Sequence, residues 1–526
     1  MQTTIRQERT DAPTLLLHWG MVITLTFSLL TGLRLAADAE DSVWARTLSG
    51  LLLQGTVTRW HVWAAYALTL LALGYVVYLW RARLAARVAL DGVRRHGLRA
   101  ADRRQRWSAL NVLVYWLAFA LILVAAGSGA LLYFAPGLLP SAILLWLHQA
   151  VAWAVLGYVA LHVLAQLALG GLPQLLKILR PRLAYGSAAA AALVIALAGG
   201  GLLYAVDRSV SAGELVIART ATPPTLDGDP EDAAWRAVPA VSVHTSRGAN
   251  FPGGESEVRI RAVHDGERVY LLFEWTDPTR SQKHLPLVKT EQGWKVLQKE
   301  YGIEDEDDYY EDKFGVMLAH SPEIAAAGTA HMGRQPLDGK PPAKGGRGLH
   351  YTSDGSIVDA WHWKSVRSGA LDQIDDNYFG PPLEPDADPN KRYPGGYTQD
   401  PKSGGGFKMN WEKFSDGPLK PLRLPKDPAL LQRMGKIDLD PDSGDDGLFF
   451  LAWEDTVPYA PELDTYPLGT VMPSVLTEGP FQGDRGDVSA HASWRDGWWR
   501  LEVSRKLDTG SRFDVALRPG EPVYLW

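Results

Sequence analysis

The chain has no cysteine among its 526 residues. That absence excludes disulfides, thiolate-ligated iron–sulfur clusters, zinc–thiolate sites and covalent haem attachment through C-x-x-C-H. Acidic residues are scarce at one end only. Residues 1–206 hold 17 Lys and Arg against 7 Asp and Glu, whereas the remainder holds 36 against 52. Long apolar runs are confined to the first part, and the second is rich in Pro, Gly and Trp. No Gly-rich cofactor loop and no nucleophile–base arrangement stands out, and no nucleic-acid partner is expected. The composition divides the chain into a basic membrane module and an acidic soluble module.

Five stretches, roughly 14–36, 60–80, 109–133, 142–169 and 183–206, carry enough apolar residues to cross a bilayer. The loop 81–106 carries nine Arg against two Asp, and 170–182 adds Lys177, Arg180 and Arg182. The loop 37–59 has Asp38, Glu40 and Asp41 against two Arg. The positive-inside rule therefore puts the amino terminus in the cytoplasm and everything after 206 outside. A cleavable signal peptide over residues 1–40 is the alternative for the first stretch. The small residues of the fifth stretch (Gly186, Ala188 to Ala192, Gly199 to Gly201) suit close helix packing.

Four histidines lie inside the apolar stretches: His18, His61, His148 and His162. Ionisable residues in a bilayer are costly and mark functional sites. His148 and His162 are 14 residues apart on one predicted helix. Fourteen steps of about 100° bring them within roughly 40° of the same face, and about 21 Å apart along the axis. Depth pairs His18 with His162 on the cytoplasmic side and His61 with His148 on the outer side. Two imidazole pairs stacked in this way are the arrangement that holds two haems. His96, in the Arg-rich loop, reads as a solvated residue.

The segment Leu16-Leu-His-Trp-Gly20 followed by Thr31-Gly-Leu33, with His61 and the pair 14 apart, resembles the bacterial di-haem cytochrome b family. That family includes the formate dehydrogenase gamma subunit and nickel-hydrogenase cytochrome b. The resemblance covers about residues 10–180 and implies quinone chemistry near the inner haem. It implies a quinone-site role for Asn111, although the Gly and Gln that accompany the family's Asn are missing here.

From about residue 214 the pattern turns to β. Val258–Ala262 and Val269–Phe273 flank a turn at His264–Glu267, and Val488–Trp494 and Trp498–Val503 flank Arg495-Asp-Gly497. Glu311–Leu318 reads as a further strand, and 333–350 and 380–406 as long Pro/Gly-rich loops. The acidic run Glu304 to Glu311 reads as a solvated face, a Ca2+ holder or a docking face for a basic cytochrome. The expected fold is thus a five-helix membrane bundle followed by an all-β immunoglobulin-like sandwich. Its parts are residues 1–182, a fifth span and linker at 183–213, and a periplasmic domain at 214–526.

Four segments carry a second resemblance: Pro224-Thr-Leu-Asp-Gly-Asp-Pro-Glu-Asp-Ala-Ala-Trp235, Tyr310-Glu-Asp-Lys-Phe314, Asp359–Arg367, and Trp494–Trp499 with Ser504-Arg-Lys-Leu507. Together they are similar to the haem-binding gamma subunits of ethylbenzene and dimethylsulfide dehydrogenases. The resemblance implies a third, non-covalent haem b in the periplasmic domain, and a redox partner that is a periplasmic cytochrome or a molybdenum-enzyme subunit. Those gamma subunits use a Met and a Lys. Here His491 stands where the Lys is sought, and Ala327-Gly-Thr-Ala-His331-Met332 resembles a C-x-x-C-H stripped of its Cys. The expected ligands are His331 and His491, with Met332 as substitute; His320, His350 and His362 follow. The functional expectation is a bacterial inner-membrane cytochrome moving electrons between quinone and a periplasmic partner. The rival is a membrane-anchored protein whose sandwich grips a carbohydrate or other ligand.

Overall fold

The computed structural model describes residues 11–37, 51–53, 57–89, 91–99, 102–179, 187–210, 213–246, 248, 254–298, 309–322, 324, 328–333, 337–343, 347–388, 391–412, 417–434 and 449–526. The acidic loop residues 38, 40 and 41, the acidic run from 304 to 308, and Ala327 lie outside them. The described residues divide into a helical unit and, from Gly213, a β-rich unit.

The helical unit contains α1 (Ala12–Ala37), α2 (Val57–Arg81), α3 (Arg103–Phe134), α4 (Ser141–Leu175) and α5 (Ser187–Val210). Asp11 starts α1. Its carboxylate accepts the Thr14 amide at 3.0 Å, occupying a donor with no partner within the helix. It also accepts the Tyr78 hydroxyl at 2.7 Å, pinning the start of α1 to the end of α2. Four helices are long and apolar enough to cross a membrane; the apolar part of α5, Ala190–Val206, is shorter. Small residues let α5 approach α2 closely. A Cβ built on Gly74 would sit 3.8 Å from Ala196, and one on Gly199 would meet Leu70 at 2.8 Å.

The β-rich unit has two main sheets. Its strands in chain order are β1 (Ala218–Arg219), β2 (Val241–Thr245), β3 (Ser256–His264), β4 (Arg268–Thr276), β5 (Lys313–Ala319), β6 (Val358–Lys364), β7 (Asp375–Phe379), β8 (Tyr397–Gln399), β9 (Ser489–Arg495), β10 (Trp498–Lys506) and β11 (Tyr524–Leu525). One sheet runs β1-β3-β4-β10-β9 with β2 also on β3; the other runs β8-β7-β6-β5-β11. Both hairpins expected from the sequence form, as β3–β4 and β9–β10. The second turns on Asp496 and Gly497, both at positive φ as a two-residue I′ turn requires. Alternate residues of the two sheets share one core, which includes Phe273, Trp275, Val316, Trp361, Trp363, Trp499 and Leu501. Within it the Trp363 and Trp499 rings meet edge to face at 4.9 Å.

The segments expected to be plain loops carry short strands, Ala330–Gly333 paired with Leu349–Thr352, and Tyr397–Gln399. Residues 285–296, 424–434 and 451–476 contribute a separate small core around Leu287, Trp294, Leu424, Met472 and Leu476, which the sequence pattern did not reveal. Its strands are only two to four residues long, too short for alternation to register.

The structure accounts for the segment at 224–235. Glu502 on β10 is fully buried and accepts the Trp235 indole N–H at 2.6 Å, the Gly228 amide at 2.7 Å and the Asp227 amide at 2.8 Å. Gly228 has φ +76°, and a Cβ there would strike Ser493. Glu502→Ala would leave three donors around an emptied site and is expected to cost about 3 kcal/mol or more. Urea unfolding of the full chain followed by near-UV circular dichroism measures it, and a loss under about 1 kcal/mol would contradict this anchoring role.

Candidate haem-binding site

Helix α4 carries His148 and His162 and directs each at a different partner. The His148 ring centre lies 6.1 Å from that of His61, and His162 lies 6.3 Å from His18. Imidazoles on opposite sides of one metal, with bonds of about 2 Å, leave ring centres roughly 6 Å apart. Both pairs therefore fit a shared axial metal. All four membrane histidines are brought together in the pairs that depth predicted.

Hydrogen bonding orients the outer pair. Thr31 Oγ1 donates to the carbonyls of Phe27 (2.9 Å) and Ser28 (3.0 Å), and Ser128 Oγ to those of Val124 (2.8 Å) and Ala125 (3.2 Å). With its proton so engaged, each hydroxyl acts as an acceptor. His61 Nδ1 lies 3.0 Å from Thr31 Oγ1 and 3.1 Å from the Ser28 carbonyl; His148 Nδ1 lies 3.0 Å from Ser128 Oγ. Nδ1 must therefore carry the hydrogen in both rings, and Nε2 keeps the lone pair a metal needs. The next residue along each helix is Gly, and a Cβ on Gly32 or Gly129 would sit 3.2 Å from the Cε1 of His61 or His148. The Thr31-Gly32 of the segment that carries the first resemblance thus has a counterpart in Ser128-Gly129, on the helix preceding the other member of this pair.

Around His162, Tyr158 stacks at 5.8 Å and Tyr115 stands edge-on at 6.3 Å. Asn111 Oδ1 accepts Gln166 Nε2 at 2.6 Å. Gln166 thus supplies from α4 an amide beside Asn111, where the expected third-span Gln is missing. Trp19, next to His18, donates to the Ile178 carbonyl at 3.0 Å. His96 is exposed and bonds only within its own short helix at the Gly92 carbonyl, among the described contacts.

In the β-rich unit, His331 stacks on Tyr351 at 4.7 Å and reaches Ser353 at 3.2 Å. His491 lies in a different sheet, with Nδ1 2.9 Å from Asp372 Oδ1. As expected from the alternation, His491 faces away from the core that Ala490, Ala492 and Trp494 join. Beside it lies the turn at 368–373: Ala490 N donates to the Asp372 carbonyl at 2.9 Å. Met332 is paired across its strand with His350, and packs against the cluster containing Val358, Ala360 and Phe379. His350 and His362 each lie 5.9 Å from the Tyr397 ring, and the Tyr397 hydroxyl meets His362 Nδ1 at 3.2 Å. Burial, helped by the Lys364 charge, pushes His362 down to about 3, so it is neutral at physiological pH. His320 shows no resolved site role.

The Tyr310–Phe314 and Asp359–Arg367 segments meet in a buried ion network. Glu311 accepts the amides of Val366 (2.7 Å) and Arg367 (2.9 Å), the Arg367 guanidinium, and lies 3.1 Å from His284 Nδ1. Burial would raise the Glu311 carboxyl, but Arg367 and the His284 bond outweigh it and hold it well below the carboxylate range. Asp312 accepts the Trp499 indole at 3.0 Å. These contacts are structural and explain why the segments occur together.

The helical bundle and its imidazole pairs define a membrane cytochrome b that carries electrons, and residues 9–181 match the family model of prokaryotic cytochrome b561. Residues 232–526, more than half of the chain, match the ethylbenzene dehydrogenase family model, and the chain belongs to that family. No curated protein matches the chain. The cytochrome b561 match implies haem b in the membrane module, and the pair geometry and tautomers fit it.

Removing the acceptor of a ligand histidine generally costs 10–100-fold in metal affinity. Ser128→Ala should therefore weaken haem retention by about that factor at the His61–His148 site, seen as haem lost on gel filtration. Unchanged retention would show that Ser128 does not orient His148.

Proposed function

We propose that the protein is a multi-haem b-type cytochrome that exchanges electrons between the quinone pool and a periplasmic redox partner. The observation that carries this is the pairing of four histidines from three helices into two sites, each with the spacing of a bis-imidazole metal. His18 with His162 would hold the inner haem, and His61 with His148 the outer one. Haem b when bound supplies a one-electron couple at each site. The chain's part is to fix the neutral tautomers, exclude water and align the two sites along α4.

Quinone binds near His18, Asn111 and His162 on the cytoplasmic side. The Asn111–Gln166 pair supports this, since its polar groups face each other inside an otherwise apolar bundle. The five-pass topology, with the β unit as a periplasmic immunoglobulin-like sandwich, is supported by the nine Arg of residues 81–106, at and between the facing ends of α2 and α3. The net charge of −16 beyond residue 206 suits a basic cytochrome or a molybdenum-enzyme subunit as partner.

One further non-covalent haem b belongs to the β unit. The ligands read from sequence are His331 and His491, with Met332. A second set, His350 or His362 with Met332, is favoured by its convergence on Tyr397. His491→Ala and His362→Ala separate the two sets, because only the true ligand's loss alters this haem's spectrum. The rival reading, a ligand-gripping anchor, has no use for paired membrane histidines.

His61→Ala and His148→Ala should each remove the same haem and leave the other, as read by pyridine haemochrome content and redox titration. Full haem content in either variant would overturn the assignment. Electron transfer to the soluble partner should slow as salt rises from 0.01 to 0.1 M, over which the Debye length falls from about 30 to about 10 Å. A rate indifferent to salt would exclude electrostatic docking.

A further inference from the structure

Five aspartates from five segments of the β unit converge away from every histidine discussed above. Asp359 comes from β6, Asp376 from β7, Asp400 follows β8, Asp487 precedes β9, and Asp514 lies between β10 and β11. Asp359, Asp400, Asp487 and Asp514 all bear on Asp376, and Arg505 on β10 is the cation among them. Arg505 is fully buried and binds one oxygen of Asp359, which also accepts the Val515 amide at 3.1 Å. Thr509 donates to one oxygen of Asp514 at 2.5 Å.

The remaining oxygens are the unusual part. Asp376 is 0% exposed and Asp400 3%, and neither carboxylate accepts a hydrogen bond from a group outside the cluster. One oxygen each of Asp359, Asp487 and Asp514 is also buried with no donor from outside it, which brings the set to seven. Within the cluster Asp400 approaches Asp514, and Asp487 approaches Asp376 and Asp514, at hydrogen-bond range. Buried polar groups are nearly always satisfied, and one guanidinium cannot offset five carboxylates out of water. One oxygen each from Asp359, Asp376 and Asp514 lie within 4.8 Å of one another. Two ligands of one Ca2+, each at about 2.3–2.6 Å, can be at most about 5 Å apart. Ca2+ takes 6–8 oxygens in a flexible shell, whereas Mg2+ demands a smaller octahedron and keeps its waters.

We propose that this cluster is a structural Ca2+ site that ties the two sheets together. Asp359, Asp376 and Asp400 come from neighbouring strands of one sheet. Asp487 leads into the edge strand of the other, and Arg505 lies on that sheet's β10. Ca2+ held by the folded protein and not by the unfolded chain stabilises the fold by mass action.

The test uses the full-length chain in detergent. Elemental analysis after gel filtration is expected to find bound calcium, removable by EDTA. Returning CaCl2 to the stripped protein should raise the Tm of the β unit, followed by tryptophan fluorescence, in proportion to log[Ca2+]. The increment should be weaker with MgCl2. Asp376→Asn should abolish both binding and increment. If that variant does not fold, Asp400→Asn carries the same comparison, and the wild-type titration needs neither. A stripped wild type whose Tm ignores Ca2+ at pH 8, or an Asp376→Asn protein that binds calcium as the wild type does, would overturn the site.

Discussion

The membrane unit is organised by the cost of placing an imidazole in hydrocarbon. Each ring needs a partner for both nitrogens, and lipid offers none. Helix α4 resolves this by presenting His148 and His162 on one side, so α1 and α2 must each bring a histidine to meet them. At the outer pair the backbone carbonyls near Thr31 and Ser128 absorb the hydroxyl protons, the hydroxyls absorb the Nδ1 protons, and Nε2 keeps the lone pair a metal needs. The glycines beside those hydroxyls follow from the same requirement, because a side chain there would displace the ring it serves.

The β unit answers a related problem differently. Several of its charged residues are buried in the joints between segments. Glu502 gathers the first loop, Glu311 holds the Arg367 turn, and Arg505 bridges β10 to Asp359. A buried ion whose donors are all supplied fixes a joint's geometry, because any other arrangement leaves a charge bare. These joints account for the family segments: residues far apart in the chain are needed together since each satisfies another's charge. The aspartate cluster departs from that rule, with more acid than Arg505 offsets.

The proposed electron transfer would rest on these two kinds of order. Two histidine pairs, each with one member on α4, would set the redox sites of the membrane module. The net acidic β-rich unit would offer a surface that a basic partner can find at long range.

The sequence by itself determined the membrane helices, the two hairpins and the pairing of the four histidines. Those features follow from local hydropathy, period and turn chemistry, and from a separation of 14 residues along one helix. Thr31 stood out only as part of a family-like segment, and Ser128 and Gln166 were not legible, because a polar residue in an apolar run looks the same whether or not it touches a histidine. The strands of two to four residues around Leu287 and Trp294 fell below the length at which alternation is visible. The aspartates at 359, 376, 400, 487 and 514 look in sequence like ordinary surface acids. Only the folding of two sheets against each other brings them into one place, since no local pattern encodes which distant strands become neighbours.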